Sequence, residues 1–526
     1  MRREEMLRRI RERAERNESW DIAVIGGGAT GMGVAVDAAA RGFNVVLVEA
    51  HDFGKGTSSR STKLVHGGVR YLEQGNIPLV MSALKERGLL RQNAPHLVKD
   101  LAFVVPNYSW WEAPFYGIGL KLYDLLAGKY GFGPSKLLSK EETLQRLPAL
   151  EPEELRGGVV YYDGQFDDSR LLIHLAMTAA DHGATVVNYC PATGLLRDDE
   201  GYANGLIARD DESGAAFSIS AKVVINATGV FTDEIRRMAD PGTEPLMVTS
   251  QGIHLVFDRS FLKGDTALMV PRTSDGRVLF VIPWHGHAVA GTTDTPVEGP
   301  SLEPKPLDEE IQFILETAGR YLTRPPSRSD VLAVYVGLRP LVKSGGSSST
   351  AAISRDHTIH VDTSGLLTIT GGKWTTYRHM AEDTVDHAIT LGRLRDEDCM
   401  TKNLRIHGYQ EPPADSNEEE NPLGVYGSDA AEILRLAQHE PDLAKPLHPA
   451  LPYIGAEVVW AARSEMARSI EDVLARRTRA LFLNAHAAMQ MTEPVATLLA
   501  RELGHDDKWI AAQLQDFSEL AKQYTV

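Results

Sequence analysis

Two cysteines in 526 residues, Cys190 and Cys399, are few and far apart. They exclude a disulfide framework, a Cys-x-x-Cys redox pair and a cysteine zinc site, no metal site is expected, and they fit a reducing compartment. No run approaches the roughly 18 consecutive apolar residues that a spanning helix needs, so none is expected. Positive charge is also in deficit: 55 Lys and Arg stand against 71 Asp and Glu, a net charge of -16. That argues against nucleic acid as a partner, because such binding rests on basic contacts to phosphate. A small anionic substrate stays open, since a local basic pocket can oppose the global field. The N-terminal stretch "MRREEMLRRIRERAERNESW" lacks an apolar centre, so it does not read as a secretory signal. Its mixture of Arg and Glu reads as a solvated helix, with a membrane-surface anchor as the sharper alternative.

What is present begins with length, which exceeds one compact core and implies two or three domains. The most specific segment runs from 21 to 49. "DIAVIGGGATGMG" is a buried strand entering Gly26-x-Gly28-x-x-Gly31; a helix follows through "MGVAVDAAARG", and a second strand, "NVVLVE", ends at Glu49, 23 residues after Gly26. In this order the glycines have distinct tasks. Gly26 makes the tight turn, Gly28 lets a pyrophosphate approach the backbone, and Gly31 packs helix on strand. The helix N-terminus then faces phosphate, and Glu49 can accept from a ribose diol. The chain contains one such fingerprint, and "AKVVINATGVFTDEI" (221–235) ends in Ala227-Thr228-Gly229, similar to the second nucleotide-contacting strand of FAD oxidoreductases. Both observations favour FAD over NAD.

The rest is not a continuous doubly wound sheet. "SRLLIHLAMTAADHGATVVNY" (169–189) is an amphipathic helix feeding a strand. Alternating runs between 246 and 337, such as "GIHLVFD" and "RVLFVIPW", suggest an antiparallel sheet forming an inserted substrate domain. "GLLTITGGKWTTYRHMAEDTVDHAI" (365–389) is strand, Gly turn and helix, its N-terminus able to face the cofactor. Residues 401–422 read as a linker because "YQEPPADSNEEENP" is acidic and Pro-rich. The expected division is 1–20 as an N-terminal extension; 21–85, 155–245 and 340–400 as the nucleotide domain; 86–154 and 246–339 as the substrate domain; and 423–526 as a helical domain. The aromatic segment 107–134 reads as core or interface, with a membrane-surface patch including Trp110 and Trp111 as the alternative.

"STKLVHGGVRYL" (61–72) sets Lys63, His66 and Arg70 around Gly67-Gly68, either a tolerant surface loop or an anion pocket. Together with "GTSSR", "QFDDSRL", "VINATG", "QGIHLVF", "GTTDT", "GLRPL", "ISRDH", "GGKWTTYR" and "EDVLARRTRALFLNA", in order over nearly the whole chain, it resembles the FAD-dependent glycerol-3-phosphate dehydrogenases. The resemblance implies an α/β chain, α+β overall. Its Rossmann-like FAD domain would be of the glutathione-reductase type, D-amino-acid-oxidase-like, with an inserted antiparallel-sheet domain and a C-terminal helical domain.

It further implies hydride transfer from sn-glycerol 3-phosphate to FAD, giving dihydroxyacetone phosphate, with electrons passed to a membrane quinone or, alternatively, to oxygen. Peripheral attachment to the inner face of the cell membrane, a cytoplasmic site and a homodimer are the associated expectations. Arg70, Arg339, Lys373 and Arg355 fall to the substrate, since arginine forks match phosphate. His254 or His66 is the base, a histidine being tuned near operating pH, with Arg339 stabilising charge on the substrate oxygen. Thr57, Ser58, Ser59, Ser61 and Lys63 are expected near the cofactor, Gly67 close against the flavin, and Gly371, Gly372 and Lys373 at the facing helix start.

Overall fold

The computed structural model describes the chain except residues 70, 71, 73, 74, 110, 111, 272, 274, 275, 344–355 and 413–420, and the side chains of 113 and 114. Arg70, Arg355, Trp110 and Trp111 therefore lie outside the described residues.

Among the described residues, two large sheets organise the molecule. The first has eight strands. Trp20–Ile25 pairs in parallel with Val45–Val48 on one side and Ala216–Asn226 on the other, and the latter two pair in parallel with Thr185–Val187 and Leu367–Gly371. His357–Val361 adds an antiparallel edge, and the hairpin Ala192–Arg197/Ala203–Arg209 extends Ala216–Asn226. Ile22 through Ile25 are all buried, as a parallel sheet covered on both faces requires. Helix Ala29–Ala40 lies between helices Tyr377–Leu391 and Asp168–Asp181, and its Gly and Ala residues allow that close approach.

The second sheet has ten strands, antiparallel except where Thr266–Val270 joins Val98–Asn107. Period-two alternation sorts its residues. Ile253, Leu255 and Phe257 pack with Val334 and Val336 against helix Asp308–Gly319. Val256 and Tyr335, on the opposite face, pack against the C-terminal helices through Phe482. His254 shares that second face and is in register with Tyr335. The C-terminal domain is thus a layer of the fold. Ions also join it to the nucleotide domain: Asp52 meets Arg476 at 2.5 Å and Arg477 at 2.7 Å, and Arg479 meets Asp167 at 3.0 Å, all buried.

One expected boundary shifts, and three expected segments differ in character. Gly157–Phe166 pairs with Val98–Asn107 in the second sheet, so the chain returns to the nucleotide domain at helix Asp168–Asp181 and not at 155. The N-terminal helix Arg3–Glu15 is not wholly solvated. Met6, Leu7 and Ile10 join the main core, and buried Arg3 donates to Asp210 at 2.5 Å. The described part of the expected linker is docked: Ile406 is buried and its N–H donates to Asn93 O at 3.0 Å. The C-terminal domain includes a small hairpin, Pro446–His448 with Leu451–Ile454.

Candidate active site

The glycine turn is built by backbone sterics. Gly26 has φ +110°, and a Cβ there would stand 2.7 Å from Ala227 O. A Cβ on Gly31 would stand 1.9 Å from Gly26 O, so only glycine fits. Helix Ala29–Ala40 starts behind Gly28, and Ala29 N–H donates to Ser58 Oγ at 2.9 Å. Glu49 accepts from Gly27 N–H at 2.5 Å and His51 N–H at 2.8 Å, while burial pushes its carboxyl pKa upward. Ala227 and Gly229 close the turn from the neighbouring strand, with Gly229 at φ +59° and open space where its Cβ would be. Ser59 Oγ is buried without a hydrogen-bond partner among the described residues. A dinucleotide fits this cradle, with phosphate at the helix start and Glu49 toward a ribose.

From the turn the chain passes through Thr57–Val65 into the second sheet, which places the quoted stretch between the two domains. Two adjoining cavities open there. One, of about 240 Å³, takes lining from Thr57, Ser61, His254, Gly371, Gly372 and Lys373. The other, of about 210 Å³, has apolar walls from Phe103, Tyr161, Met269 and Phe280 and includes Arg277 and Asp294. Thr62, Leu64, His66, Thr292 and Arg339 line both.

Register explains the side chains. His254 lies between Tyr335 and Gly291 on the adjacent strands. Its ring stacks on Tyr335 at 4.8 Å with 14° between planes, and a Cβ on Gly291 would stand 2.2 Å from His254 Cδ2. Nε2 is 2.9 Å from Thr62 Oγ1. Burial first, then Lys63 and Arg339, hold the imidazole pKa well below its usual value, so the ring is neutral at neutral pH. Arg339 reaches across Gly252, whose Cβ would meet Nη2 at 2.4 Å. Its guanidinium donates to Thr293 O at 2.7 Å, Gln251 O at 3.1 Å and Asp294 Oδ1 at 3.3 Å. The fork is thereby oriented before any ligand arrives.

Of the expected residues, His254, His66, Arg339, Lys373, Thr57, Ser61, Gly371 and Gly372 come together on these walls, and Ser58 caps the nucleotide helix. Two placements differ from expectation. Lys63 turns away into the core: it is fully buried, bonds both Asp168 oxygens at 2.8 Å and Ser59 O at 2.7 Å, and sits among the rings of Trp284, Tyr335 and Phe482. Gly67 owes its lack of a side chain to packing, since a Cβ would meet Tyr123 Oη at 2.4 Å and Leu84 Cδ2 at 2.5 Å. Gly68, at φ +79°, lines the second cavity. Sequence reading gave no role to Thr62, Asp294 or Arg277. Thr62 and Asp294 stood inside quoted motifs, and Arg277 opens the quoted run "RVLFVIPW", where only the strand alternation was legible.

Ala29–Ala40 and its glycine turn also yield a test. Gly31→Ala is expected to abolish flavin retention, because the clash is with backbone and cannot relax through a rotamer. Flavin absorbance of the purified variant after gel filtration checks it, and wild-type occupancy contradicts it.

A family model described as FAD dependent oxidoreductase matches residues 21–378, and one described as the C-terminal domain of alpha-glycerophosphate oxidase matches 369–510. A probable mitochondrial glycerol-3-phosphate dehydrogenase of Caenorhabditis elegans is 41% identical over 95% of this chain and 73% of its own length. A mitochondrial glycerol-3-phosphate dehydrogenase of Arabidopsis thaliana is 42% identical over 97% of this chain and 86% of its own. The structure of glycerol-3-phosphate dehydrogenase from Bacillus halodurans, complexed with FAD, matches with a TM-score of 0.80 at 30% identity, covering 98% of this chain and 96% of that one. The chain belongs to the FAD-dependent oxidoreductases and, within them, to the glycerol-3-phosphate dehydrogenases.

Proposed function

We propose that this protein oxidises sn-glycerol 3-phosphate to dihydroxyacetone phosphate with FAD as its cofactor. The observation that carries the reading is the meeting of His254, His66, Arg339 and Lys373 around two joined cavities beside the nucleotide cradle. Bound FAD supplies the hydride acceptor. Arg277 and Arg339 both line the second cavity, and two arginines there suit a phosphate dianion. Arg339, fixed by two carbonyls and Asp294, stabilises the oxygen that gains negative charge as its proton leaves. His254 is neutral and enclosed, as a base must be before substrate arrives. Walls such as Phe103 and Phe280 exclude water, which strengthens these interactions. Anaerobic addition of glycerol 3-phosphate should bleach the flavin absorbance. No bleaching, with amino acids active instead, overturns the substrate.

The proposed electron acceptor is a membrane quinone, reached by peripheral attachment at the cytoplasmic face of the cell membrane. No described helix is long and apolar enough to cross a bilayer. Helix Glu112–Ala127 supports attachment, since Phe115, Ile118, Leu122 and Leu125 fall at helical spacing and are exposed, Ile118 by 73% and Leu125 by 76%. Leu137 lies against this helix at Gly117 and is 62% exposed, and Lys121, Lys129 and Lys136 are exposed nearby. Apolar side chains with flanking lysines suit the headgroup zone. Ile118→Glu with Leu125→Glu is expected to lower recovery on quinone-containing phospholipid vesicles about tenfold or more, each buried apolar side chain being worth about 1.5–3 kcal/mol. Dye-linked turnover should be unchanged. Undiminished vesicle recovery overturns this surface, and reoxidation faster with oxygen than with quinone overturns the acceptor.

A further inference from the structure

We propose that the Thr62 hydroxyl stands between substrate and base, taking the substrate's hydroxyl proton as it passes its own to His254 Nε2. This rests on His254 being the base. Of the two residues, Thr62 lines both cavities, whereas His254 lines the one bounded by Gly371–Lys373 and not the one holding Arg277. A substrate whose phosphate meets the arginines of the second cavity therefore encounters Thr62 at the junction before it reaches the imidazole. The oxygen and the ring nitrogen are 2.9 Å apart, a normal hydrogen-bond length.

The ring is not placed to swing toward the substrate. Tyr335 stacks on one side, and His254 itself fills the space that a side chain at Gly291 would need. Nδ1 is buried with no hydrogen-bond partner among the described residues, so Nε2 is the nitrogen that connects the ring to the cavity. Thr62 is itself set from below. Its neighbour Ser61 donates from N–H at 3.1 Å and Oγ at 2.7 Å to Asp168 Oδ2, and Lys63 is held by the same carboxylate.

A hydroxyl carries one proton and two acceptor lone pairs, so it can donate to Nε2 while accepting from the substrate. The substrate O–H bond breaks as a Thr62 O–H bond forms, and the original Thr62 O–H bond breaks as N–H forms on His254. The carbinol C–H pair departs as hydride to the acceptor that the proposed activity already supplies, and C=O forms. Thr62 ends as a neutral hydroxyl and His254 as imidazolium.

Thr62→Val keeps the shape and deletes the hydroxyl. It is expected to lower kcat about 10²-fold with KM little changed, the scale of a lost proton-transfer path. Thr62→Ser should recover to within about tenfold of wild type, and Thr62→Ala should match the valine variant. A readout independent of turnover is the nitrogen-15 chemical shift of His254 in the flavin-loaded, substrate-free protein. Nε2 should be the acceptor nitrogen in wild type and Thr62→Ser, and its shift should change in Thr62→Val. Thr62→Val combined with His254→Gln should fall no further than the worse single variant, because the two act as one unit. A valine variant with full flavin content and kcat within about threefold of wild type overturns the relay, as does a wild-type ring protonated at Nε2. If His254→Gln is harmless, the base assignment itself fails; if His254→Gln is crippling and Thr62→Val is not, the base stands and the relay falls.

Discussion

His254→Gln is expected to lower kcat by about 10²–10⁴-fold, the range associated with losing a positioned general base. The amide keeps a polar side chain of similar size but cannot take up a proton. The strand register between Tyr335 and Gly291 should survive, so flavin content and the thermal midpoint serve as controls. The pH dependence carries a second expectation. A base must be unprotonated, and the pKa of His254 is held well below 6.5, by burial foremost and then by Lys63 and Arg339. Activity limited by this group should therefore be level above about pH 6.5 and fall only on more acidic solution. An acid limb centred above pH 7, or a His254→Gln variant with wild-type kcat, contradicts the assignment. His66→Gln provides the comparison, because His66 lines both cavities. As a residue that positions substrate, its loss should raise KM more than it lowers kcat.

Asp168→Ala is expected to destabilise the protein by about 3–5 kcal/mol, the cost of breaking a buried ion pair by removing one partner. Lys63 has no exposed side-chain surface, and its ammonium contacts both Asp168 oxygens. Burial lowers its pKa, and Asp168 is the leading influence opposing that fall. Without the carboxylate the amine must lose its proton or draw water into the core. Ser61 loses its acceptor at the same time, so the Thr57–Val65 crossing should loosen and flavin retention should weaken. Thermal unfolding and flavin content after gel filtration check both. A variant that melts with wild type shows that the pair contributes little. The neighbouring Asp167 is gripped by Arg479 at 3.0 Å and by His285 at 2.9 Å, so the C-terminal domain braces the same helix start. The position of that domain, packed on the face of the sheet that carries His254, gives it a structural part in the site.

These two residues mark how far the sequence is readable. His254 was found because a histidine inside an alternating strand is conspicuous, and a family motif surrounded it. What its ring touches was not legible, because its strand neighbours Gly291 and Tyr335 lie 37 and 81 residues further along the chain. Lys63 was read as a cofactor contact because charge in a glycine-rich stretch suggests a pocket. Its actual partner, Asp168, is 105 residues away, and no local pattern announces it. The crowding at Gly67 is likewise not announced locally, since it comes from Leu84 and Tyr123. Strand Gly157–Phe166 was given to the wrong domain because an apolar run shows that it is buried but not which sheet buries it.

By itself the sequence determined the nucleotide turn, whose steric requirements are met within 29 residues from 21 to 49, and the alternation that makes the second sheet. It also determined the family, through motifs spread in order along the chain. The tertiary structure alone decided which cations face the cavities and which are consumed in the core. It decided that Thr62 meets His254 and that Arg277 joins Arg339, and it set the N-terminal helix and residues 401–412 against the body of the fold. The physical reason is range. Turn sterics and strand periodicity act between near neighbours, whereas ion pairing, ring stacking and cavity lining depend on residues brought together from distant parts of the chain, where loop closure fixes who can meet.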